Sequence, residues 1–109
     1  MVTAIAPLPM TRRTTPATRL RALALVEVLG ALPIEMEAQR HDRIVAAISH
    51  LPHAVAYSLA GALAQGPLAG AAQSLHGGGL RDTTRIAASS PELWADIFLD
   101  NREQLLQAW

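Results

Sequence analysis

The chain contains no cysteine and no lysine, and aromatic residues make up only 4% of it. Without thiols there are no disulfides, no thiolate metal sites and no cysteine nucleophile, and a cysteine-free chain fits a cytoplasmic setting. All nine basic side chains are arginine, and nine carboxylates balance them to a formal net charge of zero. Such a balance offers no electrostatic footprint for nucleic acid or an anionic membrane, so neither is expected as a partner. What fills the hydrophobic half of the sequence is small and aliphatic, with 21 Ala and 16 Leu among 109 residues. These residues head the helix-propensity scale, so a mostly α fold of closely packed helices is expected. A length of 109 residues does not hold a dinucleotide-binding domain together with its own substrate domain.

Charge is also missing locally. Between Ile44 and Leu80 there is no Asp, Glu, Lys or Arg. His50, Pro52, His53, Gln65, Gly66 and Pro67 interrupt this stretch, and the clean apolar run over 54–64 is too short to span a bilayer. It reads as core or subunit interface rather than a membrane span. The N-terminal MVTAIAPLPMTRR has its arginines after the apolar residues and two prolines among them, the reverse of a secretory signal.

Along the chain, residues 5–9 read as a strand end or an extended entry. Thr15-Pro16 reads as a helix start, since Thr caps and Pro is tolerated at the first helical position. Leu20, Leu23 and Val26–Val28 form the apolar stripe of that helix, and Gly30 is its natural C-terminal cap. Residues 31–36 form a short β-like piece in which Pro33 suits an edge. A helix is expected from about Glu37, kinked or divided at Pro52, which removes a backbone donor. It ends near Gln65, and an Ala/Gly-rich loop or short helix follows. Gly77–Gly79 punctuates the chain, LRDTTRIAAS reads as a short helix, and Ser90-Pro91 opens a last helix through Trp109. The inner face of that helix is Trp94, Ile97, Phe98 and Leu105.

Several groups of residues could carry chemistry. Three glycines before a helix can turn backbone N–H groups into an anion-binding nest. Arg81 and Arg85, four apart, can converge on one carboxylate, with Asp82 holding Arg85 in place. The plain alternative is a flexible loop followed by a solvated polar helix. His53 lies one turn from Ser49, with Tyr57 a further turn on; it can donate to a substrate oxygen, and His50 can anchor the bend. Satisfied core histidines are the competing explanation. Metal binding is not expected, because His41, His50, His53 and His76 match no recognised ligand spacing. His41-Asp42 is explained by the helix dipole, and as adjacent helical residues the two are expected to point apart. Trp94 is expected to pack beside Phe98, or to form an aromatic wall against a ring-shaped substrate. No G-x-G-x-x-G, P-loop, G-x-S-x-G or conspicuous carboxylate pair is present.

Taken together, HDRIVAAISHLPHAVAYSLA and GGGLRDTTRIAASSPELWADIFLDNRE closely resemble the prephenate/arogenate dehydrogenase family. The matching positions are His41, Asp42 and Ser49–His53 in the first block. In the second they are Gly78, Gly79, Asp82, Thr84–Ala87, Trp94 and Asn101. The resemblance implies NAD- or NADP-dependent oxidative decarboxylation of prephenate or arogenate in tyrosine biosynthesis. It implies a helical domain that dimerises and helps form the substrate pocket, like the C-terminal domain of 6-phosphogluconate-dehydrogenase-type enzymes. Residues 37–109 would be that domain. Residues 1–36 would be a helix and short strand left from a Rossmann domain, in an N-terminally truncated chain. The same resemblance puts Arg85 on a substrate carboxylate, Asp82 and Arg81 in the ionic network around it, and His53 and the Gly78 backbone at the other polar end. His41, Ser49, His50 and Trp94 would support the pocket.

Leu80 stands where the family usually has Phe. The family's catalytic histidine and dinucleotide fingerprint belong to its nucleotide-binding domain and match nothing in these residues, so the chain alone is expected to be inactive. A non-catalytic helical dimerisation module is the alternative. The helical domain of a related β-hydroxyacid-type dehydrogenase is disfavoured by the SHLPH and DTTRIA blocks.

Overall fold

A computed structural model describes residues 4–109. The chain divides into two compact units, the first ending at Ile44 and the second running Val45–Trp109.

In the first unit β1 (Ile5–Met10), α1 (Pro16–Val28) and β2 (Leu32–Glu37) form a β-α-β element. The strands pair in parallel, Ile5 against Leu32 through Met10 against Glu37, so the strand-like front of the sequence is a two-stranded sheet. The Leu32 N–H donates to the Ala4 carbonyl. In a parallel ladder alternate residues point their N–H groups the same way. Residues 32, 34 and 36 therefore face β1, while 4, 6, 8 and 10 face β2. Pro7, Pro9 and Pro33 consequently lie on the outer edges, where no ladder donor is lost. The Thr15 hydroxyl accepts from the Thr18 N–H and Pro16 starts the helix, as expected. At the other end Gly30 adopts φ 70°. Its N–H donates to the Glu27 carbonyl and the Ala31 N–H to the Val26 carbonyl, a Schellman closure that needs a left-handed residue. Arg19 grips the Glu35 carboxylate with Nε and Nη2 and ties α1 to β2.

The expected break at Pro52 takes another form. Helix α2 (Ala38–Val45) passes into a π-helical turn, Ala46–His50, and then into α3 (Leu51–Gln65). The Leu51 N–H donates five residues back to the Ala46 carbonyl. This widened turn accommodates the proline ring without dividing the helix. The result is one helix over Ala38–Gln65, long and apolar enough by length and composition to cross a membrane. The judgement that the apolar run is too short is therefore corrected, because Pro52 does not end it. Ala46 and Ala56, two of the three buried hydrophobic residues among those described, lie in this segment, while Ile48 and Val55 on it are exposed.

Four further helices and a 3-10 turn complete the second unit. They are α4 (Ala69–Leu75), α5 (Gly78–Thr84), the 3-10 turn Arg85–Ala88, α6 (Pro91–Asp100) and α7 (Arg102–Ala108). The last helix is not continuous to Trp109. Asn101, at φ −114° and ψ 28°, separates α6 from α7. The fold is mostly α, as the Ala/Leu composition implies.

Candidate functional site

The site is built on one face of α3. His53 and Tyr57, one turn apart, meet Trp94 and Phe98, one turn apart on α6. The His53 ring stacks on Trp94 with centroids 3.4 Å apart and planes 15° from parallel. Tyr57 meets Phe98 edge to face at 6.3 Å, and Trp94 contacts Phe98 at 5.6 Å. Trp94 packs beside Phe98, as expected, and its face is stacked on the His53 imidazole.

The His53 Nδ1 lies 2.9 Å from the Ser49 carbonyl. A carbonyl only accepts, so Nδ1 carries the proton and Nε2 is left to engage a ligand. Ser49 thus contributes its backbone, not its hydroxyl. The π turn places His50 so that its Nδ1 accepts from the Asn101 side-chain amide at 3.2 Å, and Trp94 meets the His50 ring edge-on at 6.2 Å. His50 anchors the bend, and Asn101 is the partner that the helical periodicity concealed.

The glycine segment departs from expectation. Gly77 is extended at φ −89° and ψ −179°, while Gly78 and Gly79 are the first residues of α5. Gly30 alone among the described residues has positive φ, so no nest forms. The Thr83 and Thr84 hydroxyls donate back to the Gly79 and Leu80 carbonyls at 2.7 and 2.8 Å. Nor does Asp82 pair with Arg85, because α5 ends at Thr84 and Arg85 enters the tighter 3-10 turn, which alters the helical spacing. Arg81, Asp82 and Arg85 are all exposed.

A cleft of about 530 Å³ lies between the end of α3, α4 and α5. Small residues such as Ala60, Ala64 and Ala72 form its walls, with Leu80, His76, Arg81 and Thr84 at one side. Of the expected substrate residues only Arg81 lines it; His53, Gly78, Asp82 and Arg85 do not. The small residues that make it spread over three helices and carry no local motif.

His41 Nδ1 lies 3.1 Å from Asp42 Oδ1, so these neighbours meet rather than point apart. A flexible carboxylate reaches back to an adjacent ring even though the Cα–Cβ bonds diverge. The Glu37 carboxylate accepts from the Gln39 and Arg40 N–H groups and caps this helix start.

The β-α-β element does not fit a dinucleotide. The turn after β1 is Thr11–Thr15, without glycine. Pro16 has no N–H, the Thr18 N–H is taken by the Thr15 hydroxyl and the Arg19 N–H by the Thr15 carbonyl. A pyrophosphate requires such groups unpaired and a backbone it can approach closely.

Comparison with known proteins gives the family and the fold. Prephenate dehydrogenase from Aquifex aeolicus, solved with hydroxyphenyl propionate and NAD+, superposes with TM-score 0.80 at 36% identity. The match covers 94% of this chain and 36% of that one. Synechocystis arogenate dehydrogenase gives TM-score 0.77 at 32% identity over 97% of this chain and 40% of its own. The fold is thus that of the helical domain of a dehydrogenase. Residues 37–109 match the family described as prephenate dehydrogenase, dimerization domain, and the chain belongs to that family. Among curated relatives, the cyclohexadienyl dehydrogenase of Zymomonas mobilis is 40% identical over 86 residues, and the Bacillus subtilis prephenate dehydrogenase 42% over 74. The matches cover 73% and 67% of this chain but only 28% and 20% of those proteins.

Proposed function

We propose that this chain supplies the substrate-binding and subunit-pairing helices for the NAD(P)-dependent oxidative decarboxylation of prephenate or arogenate. The observation that carries this reading is the α3 face. His53 is held by the Ser49 carbonyl through Nδ1 and stacked on Trp94, which leaves Nε2 as the nitrogen for the polar end of a ring substrate. Arg85 and Arg81 make no ion pair among the described residues and supply cations for a carboxylate. Gly78 contributes backbone nearby, and Asp82 modulates the charge around the arginines. His50, His41 and Ser49 act as supports. Residues 37–109 are the helical domain, and residues 1–36 correspond to the end of a nucleotide-binding domain, in a cytoplasmic protein.

The turn after β1 does not fit a pyrophosphate, so the chain's proposed share in the reaction is to bind and orient the ring and its carboxylates. The purified 109-residue chain is expected not to reduce NAD(P)+ with prephenate or arogenate, measured by absorbance. It is expected to bind 4-hydroxyphenylpyruvate in a calorimetric titration. Arg85→Ala should weaken that binding at least about tenfold by removing a charge-assisted contact. Turnover by the chain alone, or binding indifferent to Arg85→Ala, would overturn the assignment.

A non-catalytic pairing module is the second reading, favoured by the apolar surface. Ile48, Leu75 and Leu106 are 70%, 82% and 75% exposed, while Val26, Ala46 and Ala56 are the buried hydrophobic residues. Both readings require a homodimer. Retained ligand binding separates them.

A further inference from the structure

Tyr57 has no part in the proposed substrate contacts, yet its phenol makes the longest-range side-chain connection from α3 to the arginine segment. It donates to the Ser89 carbonyl at 2.7 Å, in a half-buried position, across 32 residues of sequence. Ser89 follows the 3-10 turn that carries Arg85. It also precedes Ser90, whose hydroxyl accepts from the Leu93 N–H and caps the helix that carries Trp94. A single acceptor therefore joins the arginine-bearing turn to the tryptophan-bearing helix. The donor rises from α3 one turn after His53.

We infer that Tyr57 is a positioning residue that aims Arg85 relative to His53 and Trp94. A guanidinium binds a carboxylate best through two parallel hydrogen bonds, and that geometry tolerates little drift. Arg85 makes no side-chain hydrogen bond among the described residues, and it lies on a four-residue 3-10 turn, a conformation with poor hydrogen-bond geometry. The Tyr57–Ser89 bond supplies the missing restraint. Packing is a separate matter, since the ring edge against Phe98 persists without the hydroxyl.

This inference rests on the substrate-site reading, and its test separates the two. The 109-residue chain, Tyr57→Phe and Arg85→Ala are titrated with hydroxyphenyl propionate and with 4-propylphenol, which keeps the ring and lacks the carboxylate. Circular dichroism monitors folding, and hydrogen exchange monitors the segment 81–108. Tyr57→Phe should weaken hydroxyphenyl propionate about five- to tenfold, the worth of one hydrogen bond, and leave 4-propylphenol unchanged. Exchange should accelerate over 85–90 and not over the last helix. Equal weakening of both ligands, or unchanged affinity and exchange, would overturn the positioning role. If Arg85→Ala is also without effect, or the parent chain binds neither compound, the substrate-site reading falls and this inference with it.

Discussion

At the scale of single residues, hydrogen-bond partners decide what each side chain can do. His53 and His50 lie three apart on one helix, yet they have opposite tautomers. Nδ1 of His53 donates to a carbonyl, whereas Nδ1 of His50 accepts from an amide. Their presence near Pro52 was legible from the SHLPH motif. Their division of labour was not, because it depends on Ser49 one turn back and Asn101 half the chain away. Arg19 and Glu35 show the same dependence on context. Hydrogen bonds from the Arg19 guanidinium hold the Glu35 carboxyl below its ordinary value of 4.5, with the guanidinium charge adding to them. A carboxylate with a lowered folded-state value contributes stability that is present above its unfolded value and lost as pH falls through the folded one. Acid should therefore weaken the β-α-β unit below about pH 4.5. Glu35→Gln should destabilise that unit at neutral pH and remove this part of its acid sensitivity, read from urea unfolding at neutral pH and at about pH 3. The pair is exposed, so the effect is small and falls with added salt.

At the scale of elements, local rules succeeded wherever the cause is local. Thr15, Pro16, Gly30, Ser90 and Pro91 mark helix ends because caps and φ restrictions act within one turn. A methyl group at Gly30 would meet open space, so Gly30→Ala should cost only the left-handed backbone penalty, about 1 kcal/mol by thermal denaturation. Pro52 and Asn101 defeat local rules for opposite reasons. The proline effect is real but is absorbed upstream, where the Leu51 N–H reaches the Ala46 carbonyl. Pro52→Ala should let the π turn relax to regular α-helix and rotate His50 away from Asn101. Loss of the amide–imidazole contact in NMR spectra would show it, and an unchanged contact would separate the π turn from the proline. Asn101 interrupts a helix that amphipathic periodicity alone would continue to Trp109, because its amide is drawn to His50.

At the scale of the whole molecule, too little apolar surface is buried within one chain to account for the composition. Burying such surface is the main favourable term in folding, so the exposed Ile48, Leu75 and Leu106 are the surface on which the proposed homodimer would pack. Sedimentation should show a dimer whose melting temperature rises with concentration. Ile48→Glu should weaken that dimer about tenfold or more, and a monomeric parent chain would refute the expectation.

The sequence by itself determined the helical class, the helix starts at Thr15-Pro16 and Ser90-Pro91, the stop at Gly30, the edge position of Pro33 and the family, because propensity, capping and motif spacing are written in neighbouring residues. Only the tertiary structure decided that the glycines start a helix rather than form a nest, and that Arg85 enters a 3-10 turn away from Asp82. It alone showed the long helix surviving Pro52 and Tyr57 reaching Ser89. Each of these depends on contacts or on a backbone register set by distant residues, and periodicity carries no record of them.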